Sequence, residues 1–254
     1  MLIKRLILGD MHGLINIYEA IYHIEKPDEV ICLGDYVDSF DVPVEEQEDA
    51  VHRLVKMKEN HKNDKFTILL GNHDFHYLYG APQIERYSGF SMSTYLWAED
   101  YFTDLIEDQK IQIVYVDEIN KTVYSHAGIS NTWFNDWKFT SLNDINSILT
   151  EEVGGNLEPL RFKFGEHYNP YGDTIWNGCL WIRPKSLSTD MFKENGITWR
   201  QIVGHTPGYH IKSMLNDGLM ICDAIGKYTS EYLVQYLDVT GEVILEEIKS
   251  YVNE

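Results

Sequence analysis

The chain is short of cysteine, of positive charge and of long apolar runs. Three cysteines, Cys32, Cys179 and Cys222, occur in 254 residues, and no two form a CxxC. A disulfide framework is therefore excluded, and a reducing compartment fits. Cys32 and Cys222 sit inside apolar runs and are expected as small buried residues. Lys and Arg number 21 against 40 Asp and Glu, a formal charge of -19. Such a surface repels polyanions and argues against tight nonspecific binding to nucleic acid. A local positive site, such as bound metal ions, still draws a single phosphate group. No stretch approaches the ~18 uninterrupted apolar residues of a membrane span. The apolar N-terminus is too short for a signal peptide's core and cleavage site and runs straight into a Gly-Asp turn, so it reads as a core strand. A soluble cytoplasmic protein is the expectation. No Pro/Gly/Ser linker, low-complexity stretch or repeat divides the chain, so residues 1–254 are expected as one domain.

What is present is a substantial apolar fraction, 44%, arranged as short runs alternating with helical patterns. "RLILGD" (5–10), "EVICLGD" (29–35) and "FTILLGN" (66–72) are strand candidates. Their ends lie roughly 25 and 37 residues apart, the size of βαβ units. Leu14, Ile17, Tyr18, Ile21 and Ile24 form one helical face. Ala50, Val51, Leu54, Val55 and Met57 form a second, and Met92, Tyr95, Leu96, Phe102, Leu105 and Ile106 a third. Near-continuous apolar strands joined by helices indicate an α/β protein whose parallel strands are buried on both faces. "IQIVYVDEINKTVYSHAG" reads as two strands joined by a turn near 118–121, and residues 142–149 as a short helix entered through Ser141. The C-terminal part returns to strands, with a hairpin turn at Thr240-Gly241. Residues 154–185, rich in Gly, Asn, Tyr and Trp, form an irregular insert, the kind of loop that often carries function.

Polar residues then recur at strand ends. Asp10 and His12 follow the first strand, Asp35 the second, and Asn72, His73 and Asp74 the third. His126 ("SHAG") and His205 ("GHTP") follow two later strands. Sites of open α/β sheets lie beyond the carboxyl ends of the strands, so these residues are expected to converge. Carboxylate oxygen and imidazole nitrogen suit Mn, Fe or Zn. Two cations about 3.5–4 Å apart need a bridging carboxylate, and such a pair activates water and holds phosphoryl oxygens.

The ordered set GDxHG, GDxxD, GNHD, HAG, GH resembles the calcineurin-like metallophosphoesterases. Within them it is similar to the phosphoprotein phosphatase branch, which includes the symmetrical bis(5′-nucleosyl)-tetraphosphatases. The resemblance runs from Gly9 to about Gly226. It implies a metallophosphoesterase-type α/β/β/α sandwich of two mixed sheets flanked by helices, with a dinuclear centre at one edge. Position by position, it implies Asp10 and His12 as ligands of the first metal and Asp35 as the bridge. Asn72, His126 and His205 complete the second. It implies His73 as general acid, oriented by Asp38, with attack by a metal-bound hydroxide and Mn as the expected metal. A carboxylate holding an imidazole favours its protonated form.

Three features refine the branch. "GHTP" lacks the second His of the GHxH found in many relatives, which together with the charge argues against a nuclease. "LWIRP" (180–184) resembles a W-x-R-P element, and its Arg183 is a candidate phosphate clamp beside Asn72. The GDxVDRG element loses its Arg, because Ser39 follows Asp38; Arg161 is a further candidate for that grip. The expected activity is hydrolysis of a phosphomonoester or phosphoanhydride, with a protein Ser/Thr phosphatase and a dinucleoside polyphosphate hydrolase as alternatives. A metal-binding scaffold without catalysis is the rival from another class. Of the other histidines, His23, His52 and His61 are expected exposed, His210 peripheral, and His76 and His167 either structural or at the cleft. Trp133, Trp137, Trp176 and Trp181 offer either core packing or a stacking platform.

Overall fold

The computed structural model describes residues 2–78, 89–150, 157–164 and 172–253. The three apolar runs form β1 (Ile3–Leu8), β2 (Glu29–Cys32) and β3 (Phe66–Leu69), which are parallel neighbours. Each strand stops short of its glycine, which releases the polar residues into loops. α1 (Ile15–Glu25) and α2 (Val44–Asn60) make the crossovers. α3 (Asn72–Leu78) starts directly at the third loop, and α4 (Met92–Glu107) follows it.

"IQIVYVD" is broken at Ile113. Ile111–Gln112 (β4) pairs with β3, and Val114–Asp117 (β5) joins a second sheet. The step is held by Asn146 Oδ1, which accepts the N–H groups of Ile113 and Val114, both at 2.9 Å. β6 (Thr122–Ser125) closes the expected hairpin with β5. Short helices α5 (Asn131–Asp136), α6 (Ser147–Thr150) and α7 (Pro184–Leu187) follow, with a small hairpin of β7 (Lys193–Glu194) and β8 (Ile197–Thr198). β9 (Arg200–Val203), β10 (Lys212–Met214) and β11 (Leu219–Ile221) complete the second sheet. The long hairpin of β12 (Thr229–Leu237) and β13 (Val243–Val252) extends the first. The orders are β13-β12-β1-β2-β3-β4 and β10-β11-β9-β6-β5, both mixed. Parallel pairings hold the centre of each sheet and antiparallel strands the edges, except that β4 closes the first sheet parallel to β3.

Period-two alternation makes a layered core. Ile7, Ile31, Leu33 and Leu69 face Tyr124, Ile202, Met220 and Cys222 between the sheets. Leu6, Leu8, Val30, Cys32 and Ile68 point the other way, into the cluster that includes the apolar faces of α1, α2 and α4. Each such side chain contributes roughly 1.5–3 kcal/mol on burial. Arg5 is buried with them because carboxylates compensate it: Nε donates to Glu29 at 2.8 Å and Nη1 to Asp117 at 2.7 Å.

Several expectations are corrected. Ile24, Met92 and Leu96 are exposed, so the helical stripes are narrower than their apolar residues suggested. On α4 the buried positions are Thr94, Ala98, Phe102, Leu105 and Ile106. His61 is buried, between the Tyr22 hydroxyl at 2.9 Å and the Asp28 carbonyl at 3.1 Å. Trp133 and Trp181 are core residues whose indole N–H groups bond to the Pro159 and Leu160 carbonyls; Trp176 is the exposed one. Within the insert, residues 154–156 and 165–171, and with them His167, lie outside the described residues. No helix among the described residues is long and apolar enough to cross a membrane.

Candidate metal centre

The carboxyl ends of β1, β2, β3, β6 and β9 meet. Asp10, Asp35, Asn72, His126 and His205 are all buried there, while the His12 and His73 side chains keep 34% and 18% of their exposure and open to solvent. Among the described residues three sets of ligand atoms lie within 4.8 Å of one another; beside Asp38, His73 and His76, two meet at this centre: Asp10, His12 and Asp35, and Asp35, His126 and His205. Asp35 belongs to both sets. Its Oδ2 is 3.3 Å from His126 Nε2 and 4.0 Å from His12 Nε2. Asn72 Oδ1 is 2.8 Å from His126 Nε2 and 2.7 Å from His205 Nδ1.

The hydrogen bonds on the far side of each imidazole show why these residues fit cations. His12 Nδ1 lies 2.8 Å from the Val37 carbonyl, His126 Nδ1 2.8 Å from the Leu33 carbonyl, and His205 Nε2 3.2 Å from the Trp181 carbonyl. A carbonyl only accepts, so each neutral ring spends its single N–H there. The inward nitrogens then present lone pairs to the oxygens of Asp35 and Asn72. Acceptor faces acceptor, an arrangement that divalent cations between them turn into coordination. Protonation is the alternative to a cation: although burial opposes it, Asp35 raises His126 above the usual imidazole value. Burial and the neighbouring Asp223 and Asp35 hold the Asp10 carboxyl well above its usual value. Asp35, despite burial, is pulled well below it by His126, His73 and His12. Burial, His126 and Arg183 hold His205 well below the usual imidazole value.

Glycine and backbone geometry bring these groups together. A Cβ on Gly71 would lie 2.2 Å from Asp35 Oδ1, and one on Gly204 2.2 Å from Asp10 Oδ1. His12, Asp35, Asp38 and His205 all take positive φ, between 43° and 62°, a strained choice that concentrates at functional sites. Asp74 stabilises the Asp35 turn. It is fully buried and accepts the N–H groups of Asp35, Tyr36 and Gly71 at 2.9, 2.8 and 2.9 Å. Burial and Asp35 push its carboxyl up to about 7 against those donors.

His73 sits at the open side. Its N–H donates to Asp35 Oδ1 at 2.8 Å, and its Nδ1 lies 2.8 Å from Asp38 Oδ2. Asp35 and Asp38 raise it to about 9 although burial opposes them. His12, Asp38 and His73 line a cleft of about 360 Å³ whose other walls include Phe40, Ile225 and Lys227. Arg183 is half-buried beside the centre, with Nη1 donating to the His205 carbonyl at 3.0 Å and Thr206 Oγ1 at 3.4 Å. Arg161 instead pairs with Glu158 at 3.0 Å. Ser39, in the place of the missing Arg, accepts the N–H groups of Asp41 and Val42 and shapes the loop wall.

Sequence reasoning missed one residue here and left the role of another open. Asp223, at the end of β11, is a third buried carboxylate beside Asp10 and Asp35. It follows a strand like the others, but no glycine adjoins it, so the pattern passed it over. His76 is fully buried with Nε2 2.6 Å from Asp38 Oδ2. Its signal was its spacing of three from His73.

The model of the calcineurin-like phosphoesterase family matches residues 3–222. The chain belongs to that family. This phosphoesterase is accordingly a metal-dependent hydrolase acting on phosphoester bonds. It is similar to the solved structure of a cold-active protein-tyrosine phosphatase of a psychrophile Shewanella sp., at 16% identity and a TM-score of 0.60, over 98% of this chain and 80% of that one. It is also similar to a protein serine/threonine phosphatase from Saccharomyces cerevisiae with similarity to human phosphatase PP5. There the identity is 14% and the TM-score 0.61, over 99% and 80% of the two chains. At these identities the likeness shows the fold, two mixed sheets flanked by helices. No curated protein matches the chain.

Proposed function

We propose that this phosphoesterase hydrolyses small phosphomonoesters or phosphoanhydrides at a dinuclear centre within one domain. Asp10, His12 and Asp35 hold one divalent cation, and Asp35, Asn72, His126 and His205 the other, with Mn the metal expected and Fe or Zn the alternatives. The observation that carries this reading is the sharing of Asp35 between two ligand sets, with the His73–Asp38 pair beside them at the mouth of a cleft. When bound, such cations acidify a water and neutralise charge on the phosphoryl oxygens.

The remaining chemistry belongs to the chain. Asp38 holds His73 through Nδ1, which leaves Nε2 to protonate the leaving-group oxygen as the P–O bond breaks. Arg183, pinned by the His205 carbonyl, supplies the guanidinium that takes the phosphoryl oxygens in place of the Arg absent after Asp38. The leaving group occupies the cleft next to His73. At about 360 Å³ that cleft is near the low end of the roughly 300–1,000 Å³ typical of ligand sites, which favours a small substrate. Retention of His73 and Asp38 in contact argues against a scaffold without catalysis.

A substrate panel on Mn-loaded protein tests the reading. Phosphopeptides, diadenosine tetraphosphate, nucleotides, p-nitrophenyl phosphate and bis-p-nitrophenyl phosphate are compared by kcat/KM. A small monoester or anhydride should lead. A phosphopeptide leading by tenfold or more would reassign the chain as a protein phosphatase.

A further inference from the structure

Asp38 carries more than one imidazole. His73 and His76 stand three residues apart on α3, so their rings share a face, with centroids 5.6 Å apart at 76°. Both approach the same oxygen: Asp38 Oδ2 is hydrogen-bonded to His73 Nδ1 at 2.8 Å, and His76 Nε2 lies 2.6 Å from it as a close polar contact without hydrogen-bond geometry. The other oxygen, Oδ1, accepts the Tyr77 hydroxyl. A carboxylate held at one oxygen only is free to rotate about its Cβ–Cγ bond, and the imidazole it holds turns with it. Here Tyr77 holds the second oxygen, and the buried His76 ring packs against the first. Gly89, at φ +89°, lies so close that an added Cβ would come within 3.0 Å of the Asp38 Cβ. His76 is itself immobilised: it is fully buried, with its ring edge-on to Tyr77 at 4.5 Å and to Phe90 at 5.6 Å.

We propose that His76 is a positioning residue that acts through Asp38 to hold His73 in the orientation for proton donation. The proposal rests on the reading of His73 as the group that protonates the leaving group. His76 does not touch substrate. Its burial places it behind the carboxylate, where it steers the ring that does. Tyr77 assists at the other oxygen.

The test compares His76→Leu and His76→Gln on Mn-loaded protein, using p-nitrophenyl phosphate and phenyl phosphate, whose leaving group is much the poorer. General acid catalysis is worth roughly 10²–10⁴-fold, and misalignment forfeits part of it. His76→Leu should lower kcat for phenyl phosphate about tenfold and for p-nitrophenyl phosphate far less, with KM and metal content unchanged. His76→Gln offers Asp38 a polar group of similar reach and should restore most of the loss. In a His73→Asn background, His76→Leu should add nothing. Should the leucine variant not fold, His76→Asn, too short to reach Asp38, takes its place. Equal losses on both substrates, a glutamine variant as slow as leucine, or a full additive loss without His73 would each overturn the proposal. If His73→Asn alone leaves phenyl phosphate turnover intact, the reading of His73 fails instead, and that result is separate.

Discussion

Asp35 Oδ2 lies 3.3 Å from His126 Nε2, and the other ring nitrogen, Nδ1, lies 2.8 Å from the Leu33 carbonyl. In the neutral ring, with its single N–H on that carbonyl, the two groups meet as acceptors. Because Asp35 stands in both ligand sets, its loss should affect both cations. Asp35→Asn is expected to lower the metal content to less than one ion per chain by elemental analysis. It should also abolish the rise in Tm on adding Mn²⁺, a linkage worth about 2.7 kcal/mol when free metal is 100 times Kd.

His73 provides a test of chemistry apart from metal binding. His73→Asn should keep its metals and lose about 10²–10³-fold in kcat, most for the poorest leaving groups. The readout is a plot of log kcat against leaving-group pKa for a series of aryl phosphates. The variant's slope should be steeper than that of the parent chain.

Arg183 touches the His205 carbonyl and belongs to neither ligand set. Arg183→Ala should leave the metal content unchanged and raise KM by about 10–100-fold, the equivalent of one lost charge-assisted interaction of roughly 1.5–3 kcal/mol. Arg183→Lys should recover only part, because an ammonium lacks the planar fork. A variant with unaltered KM assigns the arginine to packing.

One contribution to acid stability lies away from the centre. Glu29 is buried, which alone would raise its carboxyl, but Lys65 and Arg5 bring it below the usual glutamate value. A depressed folded-state value stabilises the protein above the unfolded pKa of about 4.3, and that stabilisation fades as pH falls through the folded value. Glu29→Gln should cost about 2–3 kcal/mol in urea unfolding at pH 7. The difference should shrink as the pH falls below about 4.

The strands, the hairpins and the convergence of strand ends were legible because each motif follows an apolar run, whereas the two sheets came only from the family resemblance. Each of those features is local. What escaped depends on tertiary context. Ile113 breaks a run that looks continuous, because Asn146, 33 residues on, captures two adjacent N–H groups. Ile24 and Leu96 have helical spacing, yet nothing covers them among the described residues. His61 resembles a surface residue at a helix end and becomes buried only because Tyr22 and Asp28 come to meet it. His76 and Asp223 are polar residues whose partners lie 38 and 213 positions away, at Asp38 and Asp10. Position alone shows that such residues are near a site but not what they touch there.

Metal dependence bears most directly on the dinuclear reading. Protein stripped by chelator, verified metal-free, is titrated with Mn²⁺ while turnover of p-nitrophenyl phosphate and bound metal per chain are followed together. The ligand geometry predicts no turnover in excess chelator and activity that saturates at two ions per chain. Undiminished turnover by the verified metal-free chain would contradict it.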